Sequence, residues 1–281
     1  MIKIFKLPKL LVRRYLVGKK ITAFDRKADR LSKPSKSGLK GGMYIGRIDE
    51  LLGVDGLTER MQKSELRVTP ERSKRIHLSW DIPDFLWEAI LGSKRLEQMV
   101  FDYLGPNARL DDLYIKTVRD GLDSVSEGWH DDNVGYRLKL FMVFDADGHP
   151  SGTVVIPTER PHLYTVSLLD ELGRMLGKPK KENREQEQRV SYQAGDCLLF
   201  DTNIPHRGDY SAAEGVRYCV IAEFIDSEKA DALRGKAPCG PGQGKKPIRL
   251  PHYYAAQNSS HPLVDQSLIL SGSNTQYGYR L

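Results

Sequence analysis

Beyond residue 111 the apolar side chains stop recurring at helical spacing. They fall instead into short alternating or continuous runs at residues 113–118, 136–144, 152–156, 188–192, 197–200 and 216–224. Short runs of this kind, separated by Gly, Pro, Asp and Asn, are strands, and strands in such number must bury their faces against one another. The spacing therefore predicts a β-sheet sandwich over the second half of the chain. Upstream, Phe85, Leu86, Ala89, Ile90, Leu96, Met99, Val100 and Tyr103 recur at helical spacing, with Gly92 as a break, which predicts two short helices. A further helical stretch at 165–176 precedes a charged, solvated connection at 178–187. The fold class expected is mainly β with flanking helices.

Across 281 residues no apolar run reaches the ~20 residues that a bilayer-spanning helix needs. Cys197, Cys219 and Cys239 are odd in number and lack paired zinc or redox spacing, which fits a reducing cytoplasm. The net charge of +6 is concentrated at the amino end, where Lys3, Lys6, Lys9, Arg13, Arg14, Lys19 and Lys20 interleave with apolar residues. Residues 1–25 read as a basic amphipathic segment, either docked on its own domain or resting peripherally on an anionic membrane. The segment 26–42, rich in Lys, Arg, Ser and Gly, reads as a loop, and 231–281 reads as a Gly/Pro-rich extension. No nucleic-acid motif or aromatic platform accompanies the basic excess, so nucleic acid is not an expected partner.

The candidate chemistry lies at Gly128-Trp129-His130-Asp131-Asp132-Asn133, immediately before a long β run. In an extended segment, residues two apart point to the same side, so His130 and Asp132 can share a metal while Asp131 faces away. Iron(II) in oxygenases takes two imidazoles and one carboxylate on one face and keeps the opposite positions open. The second imidazole should come from a facing strand. His206, at the exit of the turn and buried strand that run from Gly195 to Asp201, has that form. Arg217, eleven residues later at the start of the next run, has a guanidinium able to grip a carboxylate with two parallel hydrogen bonds.

The order His130-x-Asp132, His206, Arg217, with its flanks, resembles the phytanoyl-CoA dioxygenase family of iron(II)/2-oxoglutarate oxygenases over residues 113–224, about two-fifths of the chain. The stretch 140–147, Ser151-Gly152 and Val155-Ile156-Pro157 looks like the family's strand, acidic turn and following segment. The resemblance implies a double-stranded β-helix, a cupin-like jelly roll, as an oxygenase domain with N-terminal helices at 43–230. It implies Fe(II), 2-oxoglutarate and dioxygen as cofactors, with His130, Asp132 and His206 on the metal and Arg217 on the distal carboxylate. Lys116 and Thr117 match positions that contact 2-oxoglutarate, and His162, Trp129 and Tyr136 are candidates for the substrate pocket. Ser151, the Thr158–His162 stretch and Gly208 depart from the family pattern.

The function implied is hydroxylation of a small metabolite, anionic or lipid-linked in keeping with the basic amino end. Asp132 argues against a halogenase, since those relatives lack the carboxylate. The alternatives are a jelly-roll metal enzyme that needs no cosubstrate and a binding module without catalysis.

Overall fold

The computed structural model describes residues 7–64, 83–119, 129–132, 134–145, 152–159, 186–209, 216–233 and 261–264. Helix α1 (Leu7–Leu31) leads to strand β1 (Met43–Arg47) and to helices α2 (Ile48–Leu52), α3 (Leu57–Lys63), α4 (Asp84–Gly92) and α5 (Lys94–Leu104). Strands β2 (Ala108–Arg119), β3 (Arg137–Asp145), β4 (Gly152–Val155), β5 (Gln188–Ser191), β6 (Asp196–Asp201), β7 (His206–Asp209) and β8 (Val216–Asp226) follow, then helix α6 (Ser227–Leu233). Among the described residues the strands form two antiparallel sheets, one ordered β1-β6-β3-β8-β2 and the other β5-β4-β7.

The central strands β3 and β6, and the described side chains of β8, are buried on both faces, which is why these strands read as near-continuous apolar runs. One face, carrying Leu138, Leu140, Met142, Leu199, Ala222 and Phe224, packs on the helices. The other, carrying Phe141, Val143, Leu198, Phe200, Cys219 and Ile221, packs against Val155 and Val190 of the smaller sheet. Along β3 and β8 this second face changes character. Apolar at Val143, Phe141, Cys219 and Ile221, it becomes charged at Lys139, Arg137 and Glu223, at the end where β3 begins.

The helix break predicted near Gly92 is made by Ser93, whose hydroxyl accepts from Leu96 N–H (3.1 Å) and donates to Leu51 O (2.7 Å). The loop expected at 26–42 is corrected over its first part, because α1 continues to Leu31. Its later turns are held down by Ile21 and Ala28, both buried, and by Asp25. The Asp25 carboxylate accepts from the buried ammonium of Lys229 (2.7 Å) and from Tyr136 N–H (3.2 Å). Burial raises the Asp25 pKa and Lys229 opposes that rise. At Gly135, which turns the chain into β3 at φ 73°, a side chain would run into Ile21 and Asp25, so this close approach of helix and turn requires glycine. Val12, Tyr15 and Leu16 remain exposed on the earlier turns of α1.

Strands β1 and β7 were not expected from the sequence. The helix expected at 165–176 lies outside the described residues, as does most of the extension after residue 233. Of that extension, residues 261–264 pack back on the domain. His261 Nε2–H donates to Leu91 O (2.6 Å), Leu110 N–H donates to Leu263 O (2.9 Å), and Leu263 and Val264 join the helix-side core. No described helix is long and apolar enough to cross a membrane.

Candidate metal centre

The backbone brings the first histidine to the second. His130 and His206 form an antiparallel bridge, each donating its N–H to the other's carbonyl (3.0 and 2.9 Å), and Asp132 N–H donates to Thr202 O (3.0 Å). The segment 130–132 thus lies beside the start of β7 and the turn that precedes it. Both imidazoles consequently face one way, with ring centroids 4.3 Å apart, and the Asp132 carboxylate, two residues on, joins them. One ligand atom from each of His130, Asp132 and His206 lies within 4.8 Å of the other two, a set able to hold a metal ion. Asp131 does not belong to this set, as strand alternation predicts.

His206 is prepared as a neutral ligand. Its Nδ1–H donates to Ile204 O (2.9 Å), which leaves the lone pair on Nε2, and the edge of Phe200 fixes the ring from the side, with centroids 5.1 Å apart. Burial holds its pKa down to about 3, against the opposing pull of Asp132. No proton therefore competes with a metal for this nitrogen at neutral pH.

Asp132 sits in a cluster that the sequence reading missed. Burial would raise its pKa, but Lys139 and Arg137 outweigh it and hold the carboxyl well below the usual range. Oδ2 of Asp132 accepts from the Arg137 guanidinium and from Lys139 Nζ, the latter at 2.9 Å. Both cations also meet Glu223, Arg137 at 3.3 Å and Lys139 at 3.3 Å, with Glu223 opposite Lys139 in the β3–β8 pairing. All four groups are largely buried, and two cations against two carboxylates balance their charge. The trace in the sequence is the pair Arg137 and Lys139 at alternate positions of an otherwise apolar run. Only the pairing of β3 with β8 shows what stands opposite them.

Asp201, fully buried, fixes the turn that delivers His206. Its carboxylate accepts from Tyr103 OH (2.8 Å), Asn203 N–H (3.0 Å) and Arg137 N–H (3.4 Å). Burial outweighs these donors and pushes its pKa up to about 6 from an ordinary 3.8. A carboxyl raised on folding contributes stability that is complete below pH 4 and is lost as pH rises through about 6. In metal-free protein that loss should be on the order of 3 kcal/mol. Urea unfolding at pH 4.5 and 7.5 checks this: Asp201→Asn should flatten the difference, and parallel curves for the variant and the wild type would remove Asp201 as its source.

The other expected site residues divide. Tyr136, adjacent to Arg137, lies on the opposite face, where it is buried against Tyr103 (ring centroids 6.4 Å apart) in the helix-side core. Trp129 flanks the histidine bridge and lies against the Arg207 guanidinium, 5.2 Å from its ring centroid. His162 and the side chains of Lys116, Thr117 and Arg217 lie outside the described residues. Backbone pairing sets position 116 opposite Cys219, position 117 opposite Tyr218 and position 217 opposite Val118. Of the first two, position 116 shares the sheet face of Cys219. Cys197 and Cys219 are buried and do not form a disulfide with each other, and burial pushes the Cys197 thiol up to about 12, so it is inert.

No family model matches the chain, and no curated protein matches it. Similar solved structures include apo HygX from Streptomyces hygroscopicus, at 14% identity over 66% of this chain and 82% of that one, with a TM-score of 0.47. HygX with iron bound gives 14% identity over 66% and 83%, with a TM-score of 0.45. EvdO2 from Micromonospora carbonacea var. aurantiaca, complexed with 2-oxoglutarate, gives 13% identity over 52% of this chain and 65% of that one, with a TM-score of 0.36. Within the chain itself, two imidazoles and a carboxylate kept ionised on one face form the donor set that a divalent transition metal takes with positions to spare.

Proposed function

We propose that this protein is a non-haem iron(II) oxygenase that uses 2-oxoglutarate to oxidise a small molecule, on a double-stranded β-helix. The observation that carries the reading is the His130, Asp132, His206 set, with ligand atoms within 4.8 Å of one another and His206 held in its neutral Nδ1–H form. The two antiparallel sheets with charged groups between them at one end support the fold assignment. Bound at these three side chains, iron(II) with 2-oxoglutarate supplies oxidation of a C–H bond by dioxygen, the cosubstrate leaving as succinate and carbon dioxide. The chain's own part is geometry. The histidine bridge aligns two imidazoles, Ile204 O sets a tautomer, and the cations on Asp132 keep it ionised.

Arg217 is assigned to the far carboxylate of the cosubstrate. Position 217 is the second residue of β8, and by two-residue alternation shares a face with Cys219, Ile221 and Glu223. From Glu223, beside Asp132, to position 217 is six residues of strand, roughly 20 Å. Position 217 thus lies on the sheet face that carries the Asp132 cluster, further along the strand.

Anaerobic addition of iron(II) and then 2-oxoglutarate should give the visible charge-transfer band of the chelate, and admitting dioxygen with a substrate library should release succinate. Absence of the band with a full complement of iron would favour the cosubstrate-independent metal enzyme, and absence of iron binding would favour the binding module. Arg217→Lys should raise the 2-oxoglutarate concentration needed for half the band, and Arg217→Ala should raise it by about 100-fold, with iron content unchanged. A normal titration of Arg217→Ala would transfer the clamp to another residue.

A further inference from the structure

Arg137 and Lys139 both sit on Oδ2 of Asp132, yet they are not equivalent. Arg137 is 5% exposed and is fixed a third time, its Nε–H donating to Thr202 Oγ1 at 3.3 Å. Lys139 is 16% exposed. Its ammonium has three hydrogens, and among the described residues two find acceptors, Asp132 Oδ2 at 2.9 Å and Glu223 Oε1 at 3.3 Å. The balance of two cations and two carboxylates also holds only while Asp132 is not bonded to a metal. Once a divalent ion takes Asp132, one of the two cations lacks its counter-charge, and it is the more exposed and less fixed one that can turn to a new anion.

We infer that Lys139 donates to an anionic oxygen bound on the metal next to Asp132, so that the site carries a second carboxylate-recognition post separate from Arg217. A metal held octahedrally by these side chains would set neighbouring ligand atoms ~3 Å apart, and Lys139 Nζ lies 2.9 Å from an oxygen of one of those ligands, Asp132. The ligand class is a carboxylate that binds the metal directly, such as the acid next to the keto group of a 2-oxo acid, whatever its far end carries. Glu223 keeps the ammonium from settling on Asp132 alone. This assignment rests on the proposed iron and 2-oxoglutarate chemistry, and it separates two contacts within that chemistry.

Charge-transfer titration of the anaerobic iron(II) protein with 2-oxoglutarate and with pyruvate, which has the metal-binding end and no second carboxylate, distinguishes them. With iron(II) held saturating, because loss of an outer partner of Asp132 also weakens the metal, Lys139→Met should weaken both acids by the same factor, about 10- to 100-fold. Arg217→Ala should weaken 2-oxoglutarate and leave pyruvate unchanged. Lys139→Arg, which keeps the charge, should recover most of the affinity for both. Because Lys139→Met removes one of the two cations that meet Glu223 among the described residues, Lys139→Met/Glu223→Gln is titrated alongside, and the same loss for both acids is expected. Wild-type affinity of either Lys139→Met protein for pyruvate would overturn the assignment, as would a loss confined to 2-oxoglutarate. Failure of the wild type to form a band with any 2-oxo acid would instead remove the reading on which it rests.

Discussion

His206→Ala and His130→Ala should each empty the metal site while leaving a folded domain. A ligand face of three donors has no spare corner. Removing even an outer partner of a ligand typically costs 10- to 100-fold in metal affinity, so deleting a ligand should exceed about 100-fold. His206 carries more than its nitrogen, because its imidazole is held neutral by burial and aligned by Ile204 O; an alanine there leaves no group able to substitute. Metal analysis after anaerobic reconstitution is the measurement, with the succinate assay expected to fall to background. Asp132→Ala should lose iron as well, but it also strips Arg137 and Lys139 of a shared counter-charge, so its unfolding must be measured with its iron. Asp131→Ala supplies the contrast. It lies one residue away on the other face of the extended segment and should keep its iron. Loss of iron from Asp131→Ala with retention in Asp132→Ala would mean the carboxylates are assigned in the wrong order.

What was legible in the sequence was whatever depends on local pattern. The runs that became β3, β4, β5, β6 and β8 announce themselves because their side chains are buried on one or both faces, and the paired helices α4 and α5 because their apolar stripe has helical period. The site followed from the two-residue spacing of His130 and Asp132 and from a histidine at a strand exit. What stayed hidden depends on partners. Strand β7 is His206-Arg207-Gly208-Asp209, polar throughout, and is a strand only because it pairs with β4. Strand β1 is five residues on the edge of the sheet, paired with β6 alone. The later turns of α1 look like a charged loop until Lys229 and Gly135 give Asp25 something to dock on. The ion cluster is the sharpest case. Arg137, Lys139 and Glu223 sit inside apolar runs, and nothing local shows that strand pairing turns all three toward Asp132.

That cluster makes Arg137 the residue, outside the ligands, whose loss should cost most. Its guanidinium bridges Asp132 and Glu223, two carboxylates that are nearly fully buried, and its Nε holds the turn before His206 through Thr202. Arg137→Met keeps the bulk and removes the charge, leaving Lys139 as the remaining cation on both acids among the described residues. Stranding a buried charge in this way costs about 3–5 kcal/mol, which in a chain of this size lowers the unfolding midpoint by roughly 10 °C. The sign with pH follows from Asp132. Its folded-state pKa is depressed, so the stability it contributes is present above the ordinary carboxylate range and is lost as pH falls through that range. The deficit of Arg137→Met should therefore be largest near neutrality and shrink in acid. Metal should offset it too, because a divalent ion on Asp132 supplies the counter-charge that the variant lacks. Saturating manganese(II) is thus expected to raise the midpoint of Arg137→Met by several degrees more than it raises that of the wild type. Arg137→Met/Glu223→Gln, which removes one stranded carboxylate, should recover part of the loss without metal. Equal midpoints for Arg137→Met and the wild type in metal-free protein at neutral pH would show that Lys139 alone satisfies both acids, and the coupling between the metal face and the β3–β8 pairing would then have to run through the backbone of the Thr202 turn.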